Sequence, residues 1–162
     1  MAENVSLDNN VVSIFIGEIC GCDNCRKYAY HIYESKSNTV RFICFSVVDQ
    51  TSFANVENIW FPELIEEDNN PIIILVGTKT DLRKDEHTLN ELAGNGQKPI
   101  TQEQGRALAE KIGAIDYMEC TATNPDTIDS IFNKGYEILT NLMFNSTNVS
   151  DTKPQKEICV IQ

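Results

Sequence analysis

Positive charge is scarce in this sequence. Its 13 Lys and Arg stand against 24 Asp and Glu, for a net charge of −11 and a pI near 4.5. That balance speaks against a nucleic-acid partner, whose phosphates want a basic face. It also speaks against electrostatic adhesion to an anionic membrane. No apolar run approaches the length of a membrane span, and no secretory leader opens the chain. The six cysteines, Cys20, Cys22, Cys25, Cys44, Cys120 and Cys159, are therefore expected as reduced thiols. For the same reason the Asn-x-Ser/Thr triplets at Asn4, Asn145 and Asn148 are expected to carry no glycan.

The 162 residues suffice for one domain, and 41% hydrophobic residues is an ordinary globular share. "VVSIFI" at 11–16 reads as a strand, with "SLDNN" before it as the turn of a hairpin. "VRFICFSV" at 40–47 and the apolar run at 72–76 are continuous enough to be strands buried on both faces. Between them, Phe53, Val56, Ile59 and Trp60 recur at helical spacing over 52–67. The spacing of Thr101 and Gln104 predicts a capping box at the head of a helix closed by Gly113. A short strand follows over 116–120. Asn124 and Pro125 then open a last helix whose apolar face is Ile128, Ile131, Phe132, Ile138, Leu139 and Leu142. Residues 84–98 are polar with one short helix, and the chain from Asn145 to Gln162 reads as a disordered tail. The alternation after the hairpin predicts a doubly wound α/β fold with a mostly parallel sheet, which binds ligands at the carboxyl ends of its strands.

Two loops fall at such ends. In "PIIILVGTKTDLR" the strand runs into Thr78, Lys79, Thr80 and Asp81. A fixed carboxylate at Asp81 can accept both N–H donors on one edge of guanine, whereas adenine there would leave it unpaired. The aliphatic stem of Lys79 can cover the face of base and ribose. The second loop, Thr121–Thr123, puts the backbone N–H of Ala122 in reach of a guanine carbonyl oxygen. Four such residues alone would pass for a solvated turn.

Four segments supply context: "RFICFSVVDQTSFANVENIWFPEL", "PIIILVGTKTDLR", "PITQEQGRALAEKIGAIDYMECTA" and the closing "CVIQ". Together they resemble the Rho/Rac family of small GTPases, over residues 40–143 almost without gaps. Thr78, where most other small GTPases have Asn, and the segment 84–98, which looks like the extra helix of Rho proteins, narrow the resemblance to Rho-like members. It implies a three-layer P-loop GTPase-like α/β domain over 1–144, incomplete at its N-terminus. It also implies guanine contacts from Thr78, Lys79, Asp81, Thr121, Ala122 and Thr123, with GTP or GDP as ligand. The family's usual Ser-Ala-Leu or Ser-Ala-Lys is here Thr-Ala-Thr. Thr121 keeps the hydroxyl, and Ala122 acts through its backbone.

The phosphate half is not matched. No stretch of the chain reads G-x-x-x-x-G-K-[ST], whose backbone N–H groups, Lys and hydroxyl hold phosphates and magnesium. "GEICGCDN", Gly17–Asn24, would aim Asp23 at a triphosphate. The same stretch resembles better the family's switch II motif D-x-x-G. Glu18 then replaces the Asp, Gly21 is kept, and Cys22 replaces the water-orienting Gln. A magnesium ion is not expected. In the family the unmatched first strand lies between those corresponding to 11–16 and 40–47. Those two are thus expected either to pair directly or to leave the N-terminal part loosely packed.

Three further readings complete the sequence. Cys20, Cys22 and Cys25 with His31 could hold zinc, but no second Cys/His pair follows, which favours plain thiols in a degenerate loop. "CVIQ" matches a C-a-a-X prenylation box with Cys159 as acceptor and Gln162 favouring farnesyl. Its flank carries Lys153 and Lys156 against Asp151 and Glu157, so no polybasic second signal accompanies it. The expectation is a cytoplasmic protein with reversible membrane association, Rho-type effectors and regulators as partners, and a prenyltransferase. Functionally it is a Rho-like signalling module that does not hydrolyse GTP, or a truncated isoform or incompletely read gene of one that does.

Overall fold

A computed structural model describes residues 2–7, 10–19, 39–68, 70–145 and 156–161. The strands are β1 (Ala2–Leu7), β2 (Asn10–Ile19), β3 (Thr39–Ser46), β4 (Ile72–Thr78), β5 (Asp116–Glu119) and β6 (Lys156–Ile161). The helices are α1 (Gln50–Asn55), α2 (Phe61–Glu67), α3 (Glu86–Gly94), α4 (Gln102–Lys111) and α5 (Pro125–Asn145). The six strands form one sheet in the order β1-β2-β6-β3-β4-β5. Only the β1–β2 hairpin is antiparallel; every other pair is parallel. No helix among the described residues is long and apolar enough to cross a membrane.

The near-continuous apolar runs of β3 and β4 are explained by burial on both sides. Ile43, Phe45, Ile73 and Leu75 face a core completed by Val56, Leu64, Ile100, Leu108, Ile112 and Tyr117. Their neighbours in sequence, Val40, Phe42, Ile74 and Val76, face Ile131 and Leu139 of α5. Alternate residues thus feed two cores, as a strand's period of two requires. The result is three layers, with α5 on one face and α1, α2 and α4 on the other. Phe42 meets Phe132 edge-on at 5.9 Å, and Phe45 meets Phe53 at 5.0 Å, geometries that suit the quadrupoles of the rings.

Local signals set the helix ends. The Asp49 side chain accepts from the N–H groups of Thr51 and Ser52 and starts α1. The predicted single helix over 52–67 is continuous but not uniform, because Val56–Trp60 forms a π-helical turn between α1 and α2. The N–H of Phe61 reaches back to the Val56 carbonyl. The wider turn precedes Pro62, which has no N–H to give and would crowd a regular α turn. The capping box of α4 is present in both directions, Gln104 N–H to Thr101 Oγ1 at 3.2 Å and Thr101 N–H to Gln104 Oε1 at 2.9 Å. At the head of α5, Asn124 Oδ1 accepts from the N–H of Asp126.

Two expectations differ from the structure, both at the middle of the sheet. β2 and β3 do not pair directly: β6 lies between them, parallel to both. Residues 156–161, read from composition as part of a disordered tail, are that strand. "ICVI" is apolar and, but for Cys159, β-branched, yet short and flanked by polar residues. Only a partner on each side, distant in sequence, makes a strand of it.

Candidate functional site

β3, β4 and β5 are mutually parallel, so the loops after them emerge at one edge of the sheet. Thr78 ends β4, and its hydroxyl donates to the Phe45 carbonyl at 3.0 Å while its own carbonyl accepts from Val47 N–H at 3.0 Å. The ends of β3 and β4 are pinned together in this way. Lys79 then takes a left-handed backbone conformation, φ 59° and ψ 39°, the one non-glycine residue with positive φ among the described residues. Such a conformation is costly for a side-chain-bearing residue and persists only where neighbours enforce it. Here Leu82 N–H binds the Lys79 carbonyl at 3.1 Å, which closes the 3-10 turn Thr80–Lys84.

That turn is tied to the end of β5. Both the N–H and the hydroxyl of Thr80 donate to the Cys120 carbonyl, at 3.3 and 3.2 Å, and Cys120 N–H donates to Gly77 at 2.9 Å. Thr121 begins the second loop, and its hydroxyl donates to Asp81 Oδ1 at 2.5 Å. A carboxylate only accepts, so Thr121 spends its single proton there. The 2.8 Å contact between the Thr121 and Thr123 hydroxyls therefore runs from Thr123 to Thr121. The N–H of Thr123 adds a second donor to the same oxygen at 3.2 Å. Thr127 supports the loop from α5, its hydroxyl accepting from Thr121 N–H and donating to the Asn124 carbonyl. Asp81, Lys79, Ala122 and Thr123 are all exposed. The edge thus presents a carboxylate fixed through Oδ1 beside an open turn.

Behind it stands a half-buried ion pair that sequence reasoning missed. Arg83 places both terminal nitrogens on the Glu119 carboxylate at 2.8 Å each, and its Nε donates to the Ile100 carbonyl at 3.1 Å. The Tyr117 hydroxyl donates to Glu119 Oε1 at 2.7 Å. Burial alone would raise the Glu119 carboxyl, but the Arg83 fork and the Tyr117 hydroxyl outweigh it and hold it below the usual range. Burial, with Glu119 second, pushes the Tyr117 phenol up. The cluster welds the turn carrying Asp81 to β5 and to the segment entering α4. The one local signal for it was Arg83, directly after "TKTDL"; its acceptor is 36 residues away.

Of the residues singled out from sequence, Thr78, Lys79, Asp81, Thr121, Ala122 and Thr123 assemble at this edge. Glu18 lies on β2, and Cys159 lies on β6. Gly21 and Cys22, with Cys20, Cys25 and His31, lie outside the described residues.

Comparison with known proteins agrees with the family resemblance read in the sequence. The Ras family model matches residues 1–141. The chain is 34% identical over 135 residues to the Rho-related GTP-binding protein RhoD of Homo sapiens, covering 83% of this chain and 63% of that protein. It is 39% identical over 122 residues to the GTP-binding protein rho5 of Schizosaccharomyces pombe, covering 75% of this chain and 60% of that protein. The chain spans about three-fifths of the length of these relatives. The family match and the three-layer α/β fold agree, and this chain belongs to the Ras family of small GTPases, beside its Rho-related members.

Proposed function

We propose that these 162 residues form a Rho-like module that holds the base and ribose of a guanine nucleotide, binds the triphosphate weakly and does not hydrolyse it. The observation that carries this reading is the bond from Thr121 to Asp81, which joins the two base loops and aims one carboxylate at open solvent. Asp81 accepts the paired donors of guanine, Ala122 offers its N–H to the carbonyl oxygen, and Lys79 lies along base and ribose. Thr78 and Thr123 set the backbone and hydroxyl chain around them. Against a phosphate grip stand the unmatched G-x-x-x-x-G-K-[ST] and the switch II departures Glu18 and Cys22 beside Gly21.

Guanosine, GMP, GDP and GTP should then bind with similar, weak affinity, indifferent to magnesium and abolished by Asp81→Ala. Titration calorimetry decides it, and sub-micromolar, magnesium-dependent GTP binding would overturn the reading. A second reading has one support, the greater length of the relatives: a longer product carrying the phosphate motif would hydrolyse GTP. In either case Cys159 is the proposed farnesyl acceptor, giving a mixed cytosolic and membrane distribution in contact with Rho-type effectors and regulators. A single lipid holds a membrane only marginally. Cys159→Ser should leave the protein wholly soluble on fractionation.

A further inference from the structure

We propose that the C-terminal segment is the intramolecular ligand of a strand-binding slot between β2 and β3, and that its seat there withholds Cys159 from prenyl transfer. The inference rests on the reading of "CVIQ" as a prenylation box. In the sheet, β6 is bracketed along its length. Ile14 to Ile19 of β2 run opposite Lys156 to Ile161, and Thr39 to Ile43 run opposite Glu157 to Ile161. Cys159 is level with Gly17 on one side and Arg41 on the other.

Two demands coincide on the same residues. A prenylation box wants a thiol followed by aliphatic residues. A strand in the middle of a parallel sheet wants an apolar run rich in β-branched residues. Cys159, Val160 and Ile161 meet the first demand and, together with Ile158, the second, so the segment can serve either but not at once. Transfer requires the Cys159 thiolate to attack the first carbon of a farnesyl diphosphate. The carbon–sulfur bond forms as the carbon–oxygen bond breaks, diphosphate leaves, and the thiol proton passes to solvent. An enzyme must envelop the extended box to do this, and a strand with a hydrogen-bonded neighbour on each side offers no free edge.

The alternative to occupancy is unfavourable for the sheet. β3 carries fully buried Val40, Phe42 and Ile43, and without β6 it would present a long apolar edge with unpaired backbone groups. The seat is therefore the resting state, and release is a sub-global opening that leaves β3, β4 and β5 in place. Residues 146–155 connect α5 to β6.

The test compares initial rates of farnesyl transfer to the native 162-residue chain and to the peptide Thr152–Gln162, using purified farnesyltransferase and farnesyl diphosphate. Amide hydrogen exchange of 157–161 is followed in parallel on the native chain. The expected result is a native rate at least ~10-fold below that of the peptide, with those amides as protected as the amides of β3. Equal rates would overturn the withholding, and so would slow transfer with amides exchanging at random-coil rates. A peptide that is itself unmodified defeats the prenylation reading instead. The exchange data then decide the slot alone, protection supporting it and free exchange sinking it.

Discussion

A methyl group at Gly105 should destabilise this protein although it improves the helix. Gly105 is buried in α4 and faces Tyr117 of β5. A Cβ built there would lie 2.2 Å from Tyr117 Cζ, 2.4 Å from its hydroxyl and 2.7 Å from Cε2. The ring has nowhere easy to go. A Cβ on Gly77 would meet the same hydroxyl at 2.7 Å, so two glycines already make room for it. The hydroxyl is bonded to Glu119, and the ring stacks near Phe45 at 6.3 Å with 12° between planes. Alanine in a helix interior gains about 0.8–1.0 kcal/mol over glycine. Against that stand overpacking of about 1–3 kcal/mol and the loosening of a hydrogen bond to a charged acceptor, about 1.5–3 kcal/mol when fully lost. Gly105→Ala should therefore lose about 2 kcal/mol. With a urea slope of about 2 kcal/mol per molar, the midpoint falls by about 1 M. In a Tyr117→Leu background the clash is gone and the sign reverses, Gly105→Ala then raising stability by up to about 1 kcal/mol. A midpoint unchanged or raised by Gly105→Ala alone would refute the packing account.

Four further outcomes are expected. Thr121→Val removes the hydroxyl that holds Asp81 and should weaken guanosine binding about tenfold, the factor for ~1.4 kcal/mol of a charged hydrogen bond, read by titration; unchanged affinity would mean that Asp81 is not held by Thr121. Glu119 has a folded value below its ordinary one, so its contribution to stability is present above about pH 4.3 and is lost as pH falls through the lower folded value. The urea midpoints of wild type and Glu119→Gln should accordingly differ most near neutrality and converge in acid, and a gap that widens as the pH falls would contradict the sign. Burial, with Cys120 second, pushes the Cys44 thiol up to about 12; at pH 8 its thiolate is scarcer by about three decades than in the unfolded chain, partly offset by greater nucleophilicity, so alkylation mapped by mass spectrometry should be at least about fiftyfold slower in the native protein than in urea. Thr101→Ala removes the α4 capping box and should cost about 1 kcal/mol, with thermal unfolding as the check.

Which parts of the molecule were legible in the sequence follows from how far apart the deciding partners lie. The α4 capping box needs Thr101 and Gln104 only, three residues apart, and it stands as its spacing predicts. The runs of β3 and β4 declared burial on both faces because each residue's own hydrophobicity records its surroundings. The two loops carrying Asp81 and Thr121 could be placed at the strand ends from the order of elements alone. Other features needed contacts that no local pattern encodes. The bond from Thr121 to Asp81 spans 40 residues, and the Arg83–Glu119 pair spans 36. The room left for Tyr117 by Gly105 and Gly77 is a matter of packing between α4 and two strands. Furthest from local control is β6. Its composition reads as a polar tail because a short apolar strand has no stability of its own, and "ICVI" becomes the middle of a sheet only where β2 and β3 supply hydrogen-bonding partners on both sides.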